Sequence, residues 1–76
     1  MIKLPRAVGE EILIYVYRAK EELDFSDNDF AEFCKMMMRK KDSATYNYIM
    51  SEPIQSDRNA RIVNLLSAWI DGWEEE

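Results

Sequence analysis

The stretch from Asp57 to Trp73 constrains the fold of this 76-residue chain more than any other part of it. At about 100° per residue, its large apolar side chains fall within an arc of about 160°. These side chains are Ile62, Val63, Leu65, Leu66, Trp69, Ile70 and Trp73. The pattern predicts one amphipathic helix, and a stripe with two tryptophans needs a covering surface of comparable size. We therefore expect the other segments to pack against this helix.

A second long helix is predicted from about Pro5 to Leu23. Proline suits the first position of a helix, because the N–H that it lacks would have no partner there. Apolar side chains share an arc of about 100° on the helical wheel, whereas Glu10 and Glu11 fall outside it. The apolar set is Val8, Ile12, Tyr15, Val16, Ala19 and Leu23. Residues 12–17 are rich in β-branched and aromatic types, so a short strand is the alternative there. Helix is favoured because no helix breaker follows this run.

The next helix is predicted from a pair of local signals at its start. Ser26 and Asp29 have the spacing of a capping box, and Phe25 and Phe30 occupy the staple positions on either side. The helix is expected to end near Lys41, where basic side chains meet the negative end of the helix dipole.

Two more capping signals complete the predicted architecture. Asp42 or Ser43 can cap a third, shorter helix over residues 44–50, and Ser56 or Asp57 can cap the last helix. The sequence therefore predicts an all-α fold, a small helical bundle of three long helices and one short one. Residues 1–76 are expected to form a single domain.

Composition limits the chemistry that the chain can perform. Hydrophobic residues make up 47% of the sequence, which favours a folded globule over a disordered chain. With one cysteine and no histidine, neither an intrachain disulfide nor the usual zinc ligand sets can form. Cys34 lies on an apolar stripe and is interpreted as a packing residue. Because no catalytic signature is present, we expect a non-enzymatic protein without a cofactor or a metal ion.

The net charge of −5 lies wholly in the second half of the chain. Residues 1–41 contain eight acidic and eight basic side chains, whereas residues 42–76 contain seven acidic and two basic ones. This balance argues against nucleic acid as a partner. A helical nucleic-acid-binding regulator, with the third helix in a helix-turn-helix, remains an alternative, although residues 43–57 contain no Lys or Arg.

The acidic end supports another alternative, an inhibitor that mimics DNA in the basic cleft of an enzyme. Its acidic surface would consist of Asp57, Asp71, Glu74, Glu75 and Glu76. The last three are expected to fray from the end of the final helix.

Nothing in the sequence predicts contact with a membrane. The longest apolar run, residues 12–17, is six residues long, against about 20 for a helix that spans a bilayer. The start of the chain lacks the small-residue cleavage site of a signal peptide. We therefore expect a cytoplasmic protein.

A protein partner is predicted from a surplus of apolar surface on the second helix. Its apolar side chains cover an arc of about 200°, wider than one helix face buries in a small domain. They are Phe30, Phe33, Cys34, Met36, Met37 and Met38. Because methionine is frequent on adaptable binding surfaces, we predict partner binding at Met36 and Met38 first, then at Ile14 and Tyr17. A homodimer or plain core packing would use the same surplus.

The two ends of the chain carry a resemblance to a known family. The opening Ile2-Lys-Leu-Pro-Arg-Ala-Val-Gly-Glu-Glu-Ile and the closing Leu66-Ser-Ala-Trp-Ile-Asp-Gly-Trp-Glu together resemble small accessory proteins of phages and prophages of Gram-positive bacteria. That family, whose function is unknown, has a Leu-Pro-basic start and an Ala-Trp-Leu-Asp-Gly-aromatic end. The resemblance implies the cytoplasm of a bacterial host cell, where such proteins commonly bind and block a host or defence protein. It assigns no site residues.

Overall fold

Four helices and two short strands make up the described part of this computed structural model. It describes the backbone of residues 1–21 and 28–76, and the side chains of residues 1–16 and 30–76. In chain order the elements are β1 (Ile2–Leu4), α1 (Arg6–Glu21), α2 (Asn28–Arg39), α3 (Ala44–Met50), α4 (Gln55–Asp71) and β2 (Trp73–Glu75). The predicted all-α bundle of three long helices and one short helix is confirmed. The predicted capping box of Ser26 and Asp29 lies outside the described residues.

The first helix confirms the prediction of helix over residues 12–17, because α1 runs unbroken through them. Pro5 lies one position before α1, and its carbonyl oxygen accepts hydrogen bonds from the N–H groups of Val8 and Gly9 at 3.1 and 3.2 Å. Val8 and Ile12 are buried in the core, as the apolar arc predicts.

The third helix begins where its capping signal places it. The Ser43 side-chain oxygen accepts a hydrogen bond from the Tyr46 N–H at 3.0 Å. Ser43 also donates from its hydroxyl to the carbonyl oxygen of Met37 at 3.4 Å, and so ties the start of α3 to α2. Of the two predicted caps, Asp42 and Ser43, it is Ser43 that caps the helix. Its side chain satisfies one of the N–H groups of the first turn that have no partner within the helix.

The predicted cap of the fourth helix was wrong. The helix α4 begins at Gln55, with Ile54 at the N-cap position and no side-chain cap. Ser56 and Asp57 therefore lie inside the first turn. The Ile54 carbonyl oxygen accepts hydrogen bonds from the N–H groups of Asp57 and Arg58 at 3.1 and 3.0 Å. An extended residue that follows Pro53 thus starts the helix without a polar side chain.

Four aromatic rings join α1, α2 and α4 in the core. Phe33 is fully buried, and its ring centroid lies 5.5 Å from Trp69 and 5.6 Å from Tyr15. Phe30 reaches the same tryptophan at 5.6 Å, edge to face. Such pairs contribute about 0.5–1.5 kcal/mol each beyond the area that they bury. The cluster fixes the packing of α1 against α2.

The C-terminal segment differs from the prediction that α4 extends to Trp73 and that the last glutamates fray. The helix ends at Asp71, because Gly72 adopts a φ of +89°, which L side chains rarely adopt. Residues 73–75 then pair in parallel with β1, in a register that sets Trp73 opposite Ile2. Hydrogen bonds between strands hold this end in place, including one from the Glu76 N–H to the Leu4 carbonyl oxygen at 3.0 Å.

Candidate functional site

Glu11 fixes the position of α1 against α3 and shapes the surface beside this contact. Its carboxylate accepts hydrogen bonds from the N–H groups of Ala44 and Thr45 at 3.1 and 2.7 Å, and from the Thr45 hydroxyl at 2.6 Å. A carboxylate at a helix N-terminus satisfies unbonded N–H groups and is stabilised by the helix dipole. The helical wheel placed Glu11 outside the apolar arc but could not show this role. Its partners lie 33 and 34 residues further along the chain.

A groove of about 280 Å³ lies between α1 and α2, and Glu11 forms part of its wall. Its lining residues are Glu11, Ile14 and Tyr15 from α1, Met36 and Met37 from α2, and Lys40 directly after α2. Side chains three and four residues apart share one face of a helix, so each helix presents its set to the same groove. Ile14 is 59% exposed and Met36 is 43% exposed. The apolar part of the groove is therefore open to solvent.

Two of the residues that line this groove are charged, the carboxylate of Glu11 and the ammonium of Lys40. The donors to Glu11 at the start of α3 are neutral, so its carboxylate keeps its negative charge, but its oxygens are occupied there. In the described part of the chain, Lys40 and its neighbours Arg39 and Lys41 form no ion pair. Three cations near the C-terminal end of α2 are favoured by the helix dipole. A ligand in the groove would therefore meet apolar side chains with Lys40 beside them, a cation that forms no ion pair with the described residues.

The structure brings two of the four predicted partner-binding residues together. Ile14 and Met36 line the same groove. Met38 is exposed, but two positions along a helix place it about 160° around the axis from Met36. The buried Met37 lies between the two on the core side. The side chain of Tyr17 lies outside the described residues.

The outward side of α4 exposes more apolar surface than the sequence predicts. Val63 is 60% exposed, Leu66 is 39% exposed and Ile70 is 69% exposed. The prediction that the whole apolar arc is covered was therefore wrong. The other elements pack against one side of the arc, around the fully buried Leu65, and leave these three residues outside.

A second groove, of about 380 Å³, lies between α1 and α4. Its lining residues are Ile12, Leu13, Val16, Ala68, Trp69, Gly72 and Trp73, none of which is charged. At its end, the indole of Trp73 lies directly on Gly9, where a Cβ atom would overlap the six-membered ring. The absence of a side chain at this position of α1 thus allows the tryptophan to reach the helix backbone.

The acidic residues that would mimic DNA do not converge on one cleft. Asp57 and Asp71 are exposed on α4 and lie 14 residues apart, a distance of about 21 Å along the helix. Residues 74–76 are exposed as well, but they follow the turn at Gly72 and lie beside β1. The five carboxylates therefore form a dispersed negative surface.

Other chemistry finds little support in the geometry. Within residues 1–16 and 30–76, no group of three His, Cys, Asp or Glu side chains could hold a metal ion. Cys34 packs against the core, and burial raises the pKa of its thiol, so it stays protonated at neutral pH. None of the helices that the structure describes has the length and apolar content needed to cross a lipid bilayer.

Comparison with known proteins gives no further assignment. No protein-family model, no curated protein and no solved structure matches this chain.

Proposed function

We propose that this protein is a non-enzymatic accessory protein that binds another protein through the groove between α1 and α2. The observation that carries the proposal is the position of Ile14 and Met36, two exposed apolar side chains from different helices on one groove. Exposed apolar surface bordered by polar groups is typical of interaction sites. Methionine adds a side chain that adapts its shape to a partner.

The groove also indicates the chemistry of the partner. At about 280 Å³ it is smaller than most small-molecule pockets, which hold about 300–1,000 Å³, and it suits an apolar side chain on a partner's surface. Lys40 stands at the rim, with Arg39 and Lys41 next to it in the chain. Opposite charges across an interface favour encounter and orientation, so the partner segment should carry carboxylates beside its apolar anchor. The resemblance of the chain ends to phage accessory proteins favours a host protein of a Gram-positive bacterium.

The test uses two methionines of the same helix as a matched pair. Met36→Glu places a negative charge in the groove, and Met38→Glu makes the same change at a similarly exposed position outside it. Both variants and the wild type are used to capture proteins from a Gram-positive lysate. A photo-crosslinking amino acid at position 14 then identifies the protein that contacts the groove.

The proposal predicts that Met36→Glu loses the crosslinked partner and that Met38→Glu keeps it. Circular dichroism confirms that both variants fold. Equal capture by the wild type and Met36→Glu would contradict the proposal, as would equal loss in both variants. A partner that crosslinks at position 14 should also bind more weakly to Lys40→Glu, because that variant reverses the charge at the rim.

The acidic surface supports a second candidate, mimicry of DNA against a basic enzyme. Its specific support is that Asp57, Asp71 and residues 74–76 are all exposed to solvent. Binding of this kind would weaken steeply as salt is added, because exposed charges would supply most of the attraction. A shallow salt dependence together with sensitivity to Met36→Glu would favour the groove instead.

A further inference from the structure

The side of α4 that faces away from the core carries a regular apolar seam. Val63, Leu66 and Ile70 are exposed there, and their spacing of three and four residues continues back to Asn59 and Ser56. These five residues are called the outer stripe. A seam with alternating three- and four-residue spacing matches a second helix of the same spacing. It extends for about 21 Å, or four turns.

The residues of the outer stripe carry no charge, and this property selects among candidate partners. Its polar members are a serine and an amide, and the Asn59 amide oxygen accepts a hydrogen bond from Gln55 at 2.9 Å. An acidic or basic partner would find no countercharge on this surface. Two copies of an acidic chain, by contrast, can meet here without bringing carboxylates into the contact.

The charges at the two ends of α4 determine how two copies would align. Near the N-terminal end, Glu52 and Asp57 balance Arg58 and Arg61. The C-terminal end carries Asp71 and residues 74–76 without any basic residue. A parallel pair would place the two acidic ends together, whereas an antiparallel pair places each beside a neutral end. The positive end of the partner's helix dipole then also faces the acidic end.

We propose that the outer stripe binds the same stripe of a second copy in antiparallel orientation and forms a homodimer. With a two-fold axis midway between positions 63 and 66, Val63 of each copy packs against Leu66 of the other. Ile70 then lies opposite Asn59. A stable interface of standard size buries about 1,200–2,000 Å². A single helix pair buries less than this, so the dimer dissociates on dilution. The groove between α1 and α2 involves other residues and stays open in both copies.

The first test is solution mass, measured by light scattering or sedimentation over a dilution series. The wild type should rise from 9.0 kDa towards twice that mass as concentration increases. Val63→Glu should raise the dissociation constant at least about tenfold, because it places two like charges at the centre of the seam. Met38→Glu, with the same change in charge on α2, should dimerise like the wild type. The proposal would be overturned if the wild type stayed monomeric up to about 1 mM. It would also be overturned if Val63→Glu and Met38→Glu changed the dissociation constant equally.

The second test fixes the orientation and does not depend on how the glutamate variant folds. Cys34→Ala removes the native thiol, and Val63→Cys and Leu66→Cys are then made separately in that background. Under mild oxidation, a mixture of the two variants should form the mixed 63–66 disulfide faster than either variant forms a disulfide with itself. A disulfide that forms preferentially between position 63 of both copies would show a parallel dimer and contradict the proposal. If no disulfide formed faster than that of a control cysteine at position 38, the interface would be refuted.

Discussion

The contact between Gly9 and Trp73 provides a quantitative test of the fold. A methyl group added at position 9 should destabilise the protein when Trp73 is present and stabilise it when Trp73 is replaced. Gly9 lies inside α1, where alanine is ordinarily the better residue. In this structure a Cβ at position 9 would overlap the indole of Trp73. Gly9→Ala therefore combines a gain in helix propensity with the loss of a tertiary contact.

The two effects can be compared from their magnitudes. Replacing glycine by alanine inside a helix stabilises it by about 0.8–1.0 kcal/mol. Truncation of a core tryptophan costs about 3–5 kcal/mol, and displacing the half-buried Trp73 should forfeit about half of that, roughly 2 kcal/mol. Gly9→Ala should thus destabilise the wild type by about 1 kcal/mol, and lower its melting temperature by about 4–8 °C. In a Trp73→Ala background the overlap is absent, and the same change should stabilise by about 1 kcal/mol.

The assay is urea denaturation of the four proteins of this double-mutant cycle, followed by circular dichroism. The free energy of unfolding expected for a chain of this length is about 4–11 kcal/mol, which leaves room to measure each step. The coupling between the two positions should be about 2 kcal/mol. If Gly9→Ala stabilised the wild type, or destabilised the Trp73→Ala background equally, the reasoning from this contact would be refuted.

Three further substitutions test other contacts. Glu11→Ala removes three hydrogen bonds from the start of α3 and should destabilise the protein by about 3 kcal/mol. The control Glu10→Ala, at an exposed position, should change stability by less than about 0.5 kcal/mol. Chemical denaturation measures both variants. Arg61→Ala should cost about 2 kcal/mol by the same assay, because the guanidinium donates to the Tyr48 carbonyl oxygen at 2.6 Å and lies 4.7 Å from the Tyr48 ring centroid. Burial raises the pKa of Cys34, so at alkaline pH the folded state keeps a proton that the unfolded state loses. The free energy of unfolding should therefore fall as the pH rises above the ordinary thiol pKa of about 8.5. Cys34→Ala should lack the contribution of this thiol to the fall. A Cys34→Ala variant with the same alkaline slope as the wild type would contradict the last prediction.

Local signals in the sequence predicted much of the fold. Ser43 caps α3 through its own side chain three residues upstream of Tyr46, and such a signal can be read from adjacent residues. The helical period of α1 likewise prevailed over the β-branched residues within it, because a helix of this length buries Val8 and Ile12 together.

The rest depended on contacts between distant parts of the chain. A helical wheel shows which residues of α4 are apolar, but not that Leu65 is covered while Val63 and Ile70 are exposed. The groove between α1 and α2 likewise depends on Glu11, whose bonds to α3 no local pattern reveals. The end of α4 carried a signal that could have been used, because glycine after a helix often adopts positive φ and stops it at that point.

The pairing of β1 with β2 has a consequence for the order of events during synthesis. Ile2 lies opposite Trp73, so the first strand of the sequence must wait for residues made 71 positions later. Contacts of such separation form late in folding, because a long loop must close before they can contribute. Until β2 leaves the ribosome, the surface of α1 around Gly9 is without its indole cover. On a stalled nascent chain, therefore, a holdase chaperone that recognises apolar helix faces should find its binding site there, and should lose it when the last strand emerges.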